Sequence, residues 1–179
     1  MSWGLNKQIK SENKVFMTAA DSPDGRIFLQ GLGFYQAPNN TACSMAIPLA
    51  MSPQPVALVT VKRKNDAMVV LRASIGWKTP GCSVGTIEDE NRIKVLFEIR
   101  RETSVNGELI CSVADSCTAG FDNYMATSFE HVDTGIPADT ESDYITYTLA
   151  AQQLNQPGMR AEIIGCLTLT ALCVNFAAS

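Results

Sequence analysis

The segment RIKVLFEIRRETSVNGELICSV, residues 92–113, alternates apolar and polar side chains on both sides of an Asn-Gly dipeptide. The apolar residues of the first half are Ile93, Val95, Phe97 and Ile99, and the polar residues that alternate with them are Arg92, Lys94, Glu98 and Arg100. Successive side chains of a β-strand point to opposite faces, so this pattern predicts a strand with one apolar face. Asn106-Gly107 favours the type I′ turn that joins paired strands, and the alternation resumes at Leu109. The segment therefore predicts a β-hairpin.

The same period of two recurs along most of the chain, and no convincing amphipathic helix interrupts it. The further predicted strands cover residues 26–34, 56–62, 67–77, 126–133, 144–150 and 162–174. The polar turn Lys64-Asn65-Asp66 predicts a second hairpin between 56–62 and 67–77. Residues 162–174 are apolar on both faces, which is typical of a central strand covered on each side.

Eight or nine short antiparallel strands separated by Gly, Pro, Asn and Asp loops predict an all-β sandwich or barrel, of which we favour the sandwich. With 179 residues, the chain is long enough for one domain with an extension. We assign residues 51–179 to the sandwich, and residues 1–50 to an N-terminal arm with the first strand or strands.

The arm begins with a polar segment in which Trp3, Leu5 and Ile9 are isolated apolar residues. Three arrangements are open: the arm covers its own sandwich, stays mobile, or reaches a neighbouring subunit as a connector. In the third, it would add a strand to an open sheet edge, where main-chain hydrogen bonds supply the affinity.

The formal net charge of −4 argues against a nucleic-acid partner, which requires clustered Lys and Arg. The longest basic cluster is only Lys62-Arg63-Lys64. Charged residues make up 18% of the chain, below the usual quarter, which favours surfaces buried against other subunits. No secretory signal is visible in residues 1–10, and no apolar run is long enough to predict a membrane partner.

The chain contains six cysteines: Cys43, Cys82, Cys111, Cys117, Cys166 and Cys173. They form no Cys-x-x-Cys pair and His131 has no cysteine nearby, so we expect no metal site. Two interpretations are open, small buried hydrophobes or disulfide cross-links between chains. Cys111 and Cys117 are close enough in sequence to close a small loop, whereas Cys166 and Cys173 are predicted on opposite faces of one strand and cannot pair.

Candidate chemistry is sparse, and we expect neither catalytic residues nor a cofactor. His131 and Asp133 lack the Gly-x-Ser-x-Gly turn that would present a nucleophile, so a surface or interface histidine is favoured. The acidic residues Asp139, Glu141 and Asp143 lack the glycine and distal glutamate of a calcium loop. A carbohydrate-binding face remains open on four aromatic residues: Trp77, Tyr124, Tyr144 and Tyr147.

The strand order from 56–61 through 69–75, 93–100, 129–133 and 144–149 to 166–172 resembles the jelly-roll domains of Gram-positive spore-surface proteins. These include exosporium and endospore-appendage subunits, similar in shape to tumour-necrosis-factor and C1q domains. The resemblance implies a jelly-roll subunit that assembles into fibres or a shell, cross-linked by disulfides. It also implies an extracellular or spore-surface location reached without a classical signal peptide.

The leading hypothesis is therefore a non-enzymatic structural protein whose partner is itself, as a homo-oligomer or filament. A carbohydrate- or ligand-binding trimer of the C1q type is the first alternative. A phage or viral jelly-roll structural protein is the second, and an enzyme is the least favoured.

Overall fold

The computed structural model describes residues 27–36, 46–63, 67–79, 92–118, 123–136, 143–155 and 160–176. These residues form ten antiparallel strands in two sheets and contain no helix, which confirms the all-β jelly-roll sandwich. The strands are β1 Ile27–Gln36, β2 Ala46–Pro48, β3 Gln54–Lys62, β4 Met68–Thr79, β5 Arg92–Arg101, β6 Leu109–Thr118, β7 Asn123–Asp133, β8 Tyr144–Gln153, β9 Glu162–Ile164 and β10 Thr168–Phe176.

The first sheet has β4 at its centre. Along one edge β4 pairs with β7, from Val69 opposite Asp133 to Thr79 opposite Asn123. Along its other edge β4 pairs with β10 and then, further along, with β9. Strand β1 pairs with β10, and β2 pairs with β9. The second sheet has the order β3-β8-β5-β6, with β3 and β6 at its borders.

The predicted alternation of residues 92–101 is confirmed. Ile93, Val95, Phe97 and Ile99 are each 0% exposed and face the first sheet across the core. The first sheet contributes Leu71, Ile75 and Trp77 to the same core cluster. Apolar burial of this kind is the main favourable contribution to the stability of a sandwich.

The predicted hairpin between residues 56–62 and 67–77 is wrong. Strand β3 pairs with β8 in the second sheet, whereas β4 lies in the first sheet between β7 and β10. The alternation specifies which side chains face the core, but strands on opposite sheets have the same alternation. The proposed turn at 64–66 lies outside the described residues.

The hairpin between β5 and β6 is confirmed, but its turn is not the predicted type I′. The loop closes where the Arg101 amide donates to the Glu108 carbonyl at 2.8 Å. Glu102 takes the positive φ, at 90°, and neither Asn106 nor Gly107 has one. Gly107 is required for a different reason: a Cβ there would collide with the carbonyl oxygen of Arg101.

The predicted single strand 162–174 is interrupted, so placing Cys166 and Cys173 in one strand is also wrong. Gly165 and Cys166 take φ values of 45° and 32° between β9 and β10. The Gly76 amide of β4 donates to the Cys166 carbonyl at 3.2 Å, which holds the irregular segment against the sheet. Cys166 becomes exposed as a result, while Cys173 stays buried within β10.

The two sides of the sandwich differ. At the β1–β3 side, a Cβ on Gly33 would lie 2.5 Å from the Thr60 carbonyl oxygen, and one on Gly31 would lie 2.6 Å from that of Lys62. Glycine is therefore needed for this close approach of two backbones. At the other side, the two border strands are β6 and β7. This second side contains the candidate site.

Candidate assembly site

Strands β6 and β7 each have one strand partner among the described residues. Strand β6 pairs with β5, and β7 pairs with β4. Their outer edges face one another across the side of the sandwich. An edge of this kind presents backbone N–H and C=O groups with which a further strand can pair.

A polar bridge joins the two sheets at one end of this side. The Thr127 hydroxyl of β7 donates to Asp115 Oδ2 of β6 at 2.7 Å. The indole Nε1 of Trp77 donates to the Thr127 oxygen at 2.9 Å. Asp115 Oδ1 also accepts the Ser116 amide at 2.7 Å. The Thr127–Asp115 bond thus joins β7 to β6, and the other two bonds hold its two partners in place.

A second bridge lies at the other end, and we call Arg101, Asp133 and Tyr147 the Asp133 cluster. Arg101 Nη2 donates to Asp133 Oδ1 at 2.8 Å, and the Tyr147 hydroxyl donates to Oδ2 at 2.8 Å. The Gly135 amide donates to Oδ1 at 3.1 Å. Arg101 also forms an ion pair with Glu108. The carboxylate of β7 is thus held by residues of β5 and β8 in the opposite sheet.

Tyr147 and Arg101 keep their protons near neutral pH. Burial, followed by the charge of Asp133 and its hydrogen bond, raises the pKa of Tyr147, so its hydroxyl remains a donor. Burial acts to lower the pKa of Arg101. The hydrogen bond and charge of Asp133 outweigh that effect and raise the pKa. The cluster is therefore a charged, hydrogen-bonded link between the sheets.

Between the two bridges lies a partly apolar strip, which we call the β6–β7 window. It is lined by residues on the core-facing side of the two border strands: Cys111, Val113, Phe129 and His131. Cys111, Val113 and Phe129 are partly buried against the core, and His131 is exposed. From Thr127 to Asp133 the window extends about 20 Å at the usual rise of a strand. It combines an apolar strip with a strand edge on each side.

The cysteines differ in accessibility. Cys111 and Cys117 lie on one extended strand about 20 Å apart, so the predicted small loop between them is wrong. Cys117 and Cys173 are buried, and Cys111, Cys117 and Cys166 are free thiols. Of the four cysteines in the described ranges, Cys166 is the exposed one. Cys43 and Cys82 lie outside the described residues.

The thiol of Cys111 is unreactive near neutral pH, because burial raises its pKa to about 11. The Asp133 charge acts in the same direction, and a backbone hydrogen bond from Ile99 opposes it. Thiolate is the form that exchanges disulfides, so Cys111 is a poor cross-linking residue.

Other sequence candidates are dispersed. Trp77 and Tyr147 are both 0% exposed, whereas Tyr124 is 59% exposed on the first sheet and Tyr144 is 48% exposed on the second. These four aromatics therefore do not form one exposed face, which was the arrangement left open for carbohydrate binding. Asp133 is engaged by Arg101 and Tyr147, and the exposed His131 is left as a window residue.

The arm residues Trp3, Leu5 and Ile9 lie outside the described residues, as do Asp139 and Glu141. Within the described ranges, no three His, Cys, Asp or Glu side chains are grouped as metal ligands would be. A search of the same ranges finds no helix with the length and hydropathy needed to cross a membrane.

Comparisons with known proteins give likenesses of structure alone. No protein-family model matches the chain, and no curated protein matches it. An arabinose-bound MgGH51 α-L-arabinofuranosidase aligns with 77% of this chain and 23% of its own, at 9% identity and a TM-score of 0.38. The chain thus spans about a quarter of that enzyme.

Two further structures align at 10% identity. A CBM4 protein covers 82% of this chain and 92% of its own, with a TM-score of 0.29. A structure of infectious bursal disease virus, Gt strain, covers 95% of this chain and 44% of its own, with a TM-score of 0.26. None of these three is named as a spore-surface protein, so that resemblance stays a prediction from strand order.

Proposed function

We propose that this chain is a non-enzymatic structural subunit that assembles with copies of itself into a filament, fibre or shell. Each copy accepts a strand of a neighbour at the β6–β7 window. The observation that carries the proposal is the pairing of an apolar strip with two strand edges that have no strand partner among the described residues. An added strand would gain backbone hydrogen bonds and would bury the strip.

The donated strand is the N-terminal segment, residues 1–10. Trp3, Leu5 and Ile9 all occupy odd positions, so in an extended conformation they share one face, on which Lys7 also lies. The segment includes Lys7 and Lys10 and no acidic residue. Four acidic residues border the window, Glu108, Asp115, Glu130 and Asp133, and two arginines, Arg101 and Arg72, pair with three of them, which leaves two negative charges in excess. Opposite charge on donor and acceptor favours their encounter.

The length of the segment is sufficient for this role. Ten residues extend about 33 Å as a strand, and the window requires about 20 Å. Because donor and acceptor are different surfaces, such contacts generate a ring where the rotation between copies closes and an open filament where it does not. We place the assembly outside the cell or on a spore surface, with no nucleic-acid or membrane partner.

A lysine in the window is expected to abolish assembly. The Val113→Lys variant would bury an unpaired ammonium beneath the incoming strand, which is strongly unfavourable. We expect the unmodified chain to sediment far above 19.4 kDa and to show a regular repeat in negative-stain electron microscopy, and Val113→Lys to sediment as small species. Circular dichroism and a thermal unfolding curve would verify that the variant is folded.

Ile47→Lys is the matched control, because Ile47 is also partly buried against the core but lies on β2, away from the window. It is expected to assemble normally. Deletion of residues 1–14 should prevent assembly without unfolding the sandwich, and a peptide of residues 1–10 should then bind the deleted protein. Filaments of unchanged repeat from Val113→Lys would contradict the proposal, and a monodisperse trimer would favour a ligand-binding module.

Cross-linking between copies is expected to depend on the exposed Cys166. An oxidised sample should give a ladder on non-reducing electrophoresis that collapses with reductant. Cys166→Ser should shorten that ladder, because an accessible thiol is removed. Cys111→Ser is the matched control and should leave the ladder unchanged, since the Cys111 thiol is partly buried and protonated. Loss of the ladder in Cys111→Ser, with retention in Cys166→Ser, would refute this assignment.

A further inference from the structure

A row of apolar side chains crosses the solvent face of the first sheet. Strand pairing places Leu32 of β1 beside Leu172 of β10, Leu172 beside Val70 of β4, and Val70 beside Val132 of β7. All four are at least partly exposed, and Val132 is 43% exposed. The solvent face of an antiparallel sheet is normally polar. We call these four residues the apolar row.

The charges on this face are balanced. Arg72 pairs with Glu130 at 3.5 Å, next to the apolar row, with side chains 73% and 56% exposed. Further along the sheet, Lys78 pairs with Glu162 at 3.4 Å. Within the described part of the face, each of these cations therefore lies beside an anion, although the whole chain has a net charge of −4. Contact between two such faces brings together no excess of like charge.

We propose that the solvent face of the first sheet docks against the same face of a second copy. A two-fold axis along the strands would set apolar row on apolar row, with β1 opposite β7 and β10 opposite β4. Two flat sheets stack at about 10 Å with their side chains interdigitated. The Arg72–Glu130 pair remains satisfied within each copy, so docking leaves neither charge unpaired.

The size of the face fits a second copy and sets the strength of the contact. Four strands about 4.8 Å apart and about 30 Å long present roughly 600 Å² per copy. Two copies would bury roughly 1,200 Å², at the lower end for specific interfaces. The contact is therefore a weak dimer. It deepens the proposed function, on which it rests, because it joins neighbouring filaments face to face rather than end to end.

The test uses the Val113→Lys protein, in which strand donation is blocked and the face is intact. Sedimentation equilibrium should show a monomer and dimer in concentration-dependent exchange. Adding Val132→Lys should weaken dimerisation about tenfold or more, because an ammonium replaces an exposed apolar side chain in the contact. Adding Leu58→Lys instead should leave it unchanged, since Leu58 has a similar exposure of 42% on the second sheet.

The outcomes separate this inference from the proposed function. A Val113→Lys protein that is monomeric at every concentration overturns face docking and leaves strand donation standing. A dimer that is insensitive to Val132→Lys, or one that is lost with Leu58→Lys, also overturns face docking. If Val113→Lys still forms filaments but Val132→Lys prevents their lateral association, strand donation fails and face docking is supported.

Discussion

An Asp133→Ala variant is expected to lose about 3 kcal/mol or more of unfolding free energy, because Arg101 loses its buried partner and keeps Glu108, whose side chain is 63% exposed, as its counter-ion. The Arg101 side chain is 11% exposed and that of Asp133 is 3% exposed. Tyr147 would lose the acceptor of a 2.8 Å hydrogen bond, and Gly135 would lose one of 3.1 Å. Because a whole domain is stable by about 5–15 kcal/mol, the variant should be close to unfolding.

Urea unfolding followed by tryptophan fluorescence would measure this loss. Glu130→Ala is the control on the same strand, since Glu130 forms an exposed pair with Arg72 and should cost about 0.5 kcal/mol or less. Combining Asp133→Leu with Arg101→Met should recover part of the stability, because both buried charges are then removed. A loss below about 1 kcal/mol for Asp133→Ala would show that water reaches the Arg101 guanidinium.

The inward faces of the strands were predictable because alternation is local. The odd-numbered residues of β5 from Ile93 to Ile99 are all buried. The same alternation, continued from residue 99 to residue 101, places Arg101 on the core-facing side, where its guanidinium requires a buried hydrogen-bond acceptor. The sequence therefore contained a signal for the Asp133 cluster. We considered Asp133 only beside His131, two residues away on the same strand face, and favoured a surface or interface histidine there.

Apart from the β5–β6 hairpin, the partners of the strands could not be predicted, because their pairing depends on residues distant in sequence. Strand β3 pairs with β8, and the polar residues 64–66 contain no information about that choice. The window illustrates the same limit. Val113 and Phe129 alternate like core residues, and they are partly exposed because β6 and β7 are the border strands of their sheets.

The break at Gly165 and Cys166 had a similar cause. The apolar run 162–174 fits one central strand, and both parts do lie along β4. A Cβ on Gly76 would lie 2.5 Å from the Ile164 carbonyl oxygen, so the chain approaches β4 closely just before the break. A contact between two segments about 90 residues apart leaves no pattern in either one.

A Trp77→Ala variant is expected to lose about 3–5 kcal/mol, through the cavity that removal of a buried indole leaves. Trp77 is 0% exposed, and its ring lies 6.5 Å from that of Phe97 at a tilt of 58°, across the two sheets. The variant also removes the donor to Thr127, whose hydroxyl donates to Asp115. The Thr127 hydroxyl, which bonds β7 to β6, then loses the donor that holds it from β4.

Trp77→Phe separates the two contributions. It keeps an aromatic ring against Phe97 but removes the indole N–H. Because Thr127 still donates to Asp115, the unfolding free energy lost with the indole hydrogen bond should be about 1 kcal/mol. Tyr124→Ala, at a 59% exposed position on β7, should cost little. Thermal and urea unfolding of the three variants would establish the order. Equal losses for Trp77→Phe and Trp77→Ala would mean that the hydrogen bond to Thr127, and not the packed ring, accounts for the stability that Trp77 contributes.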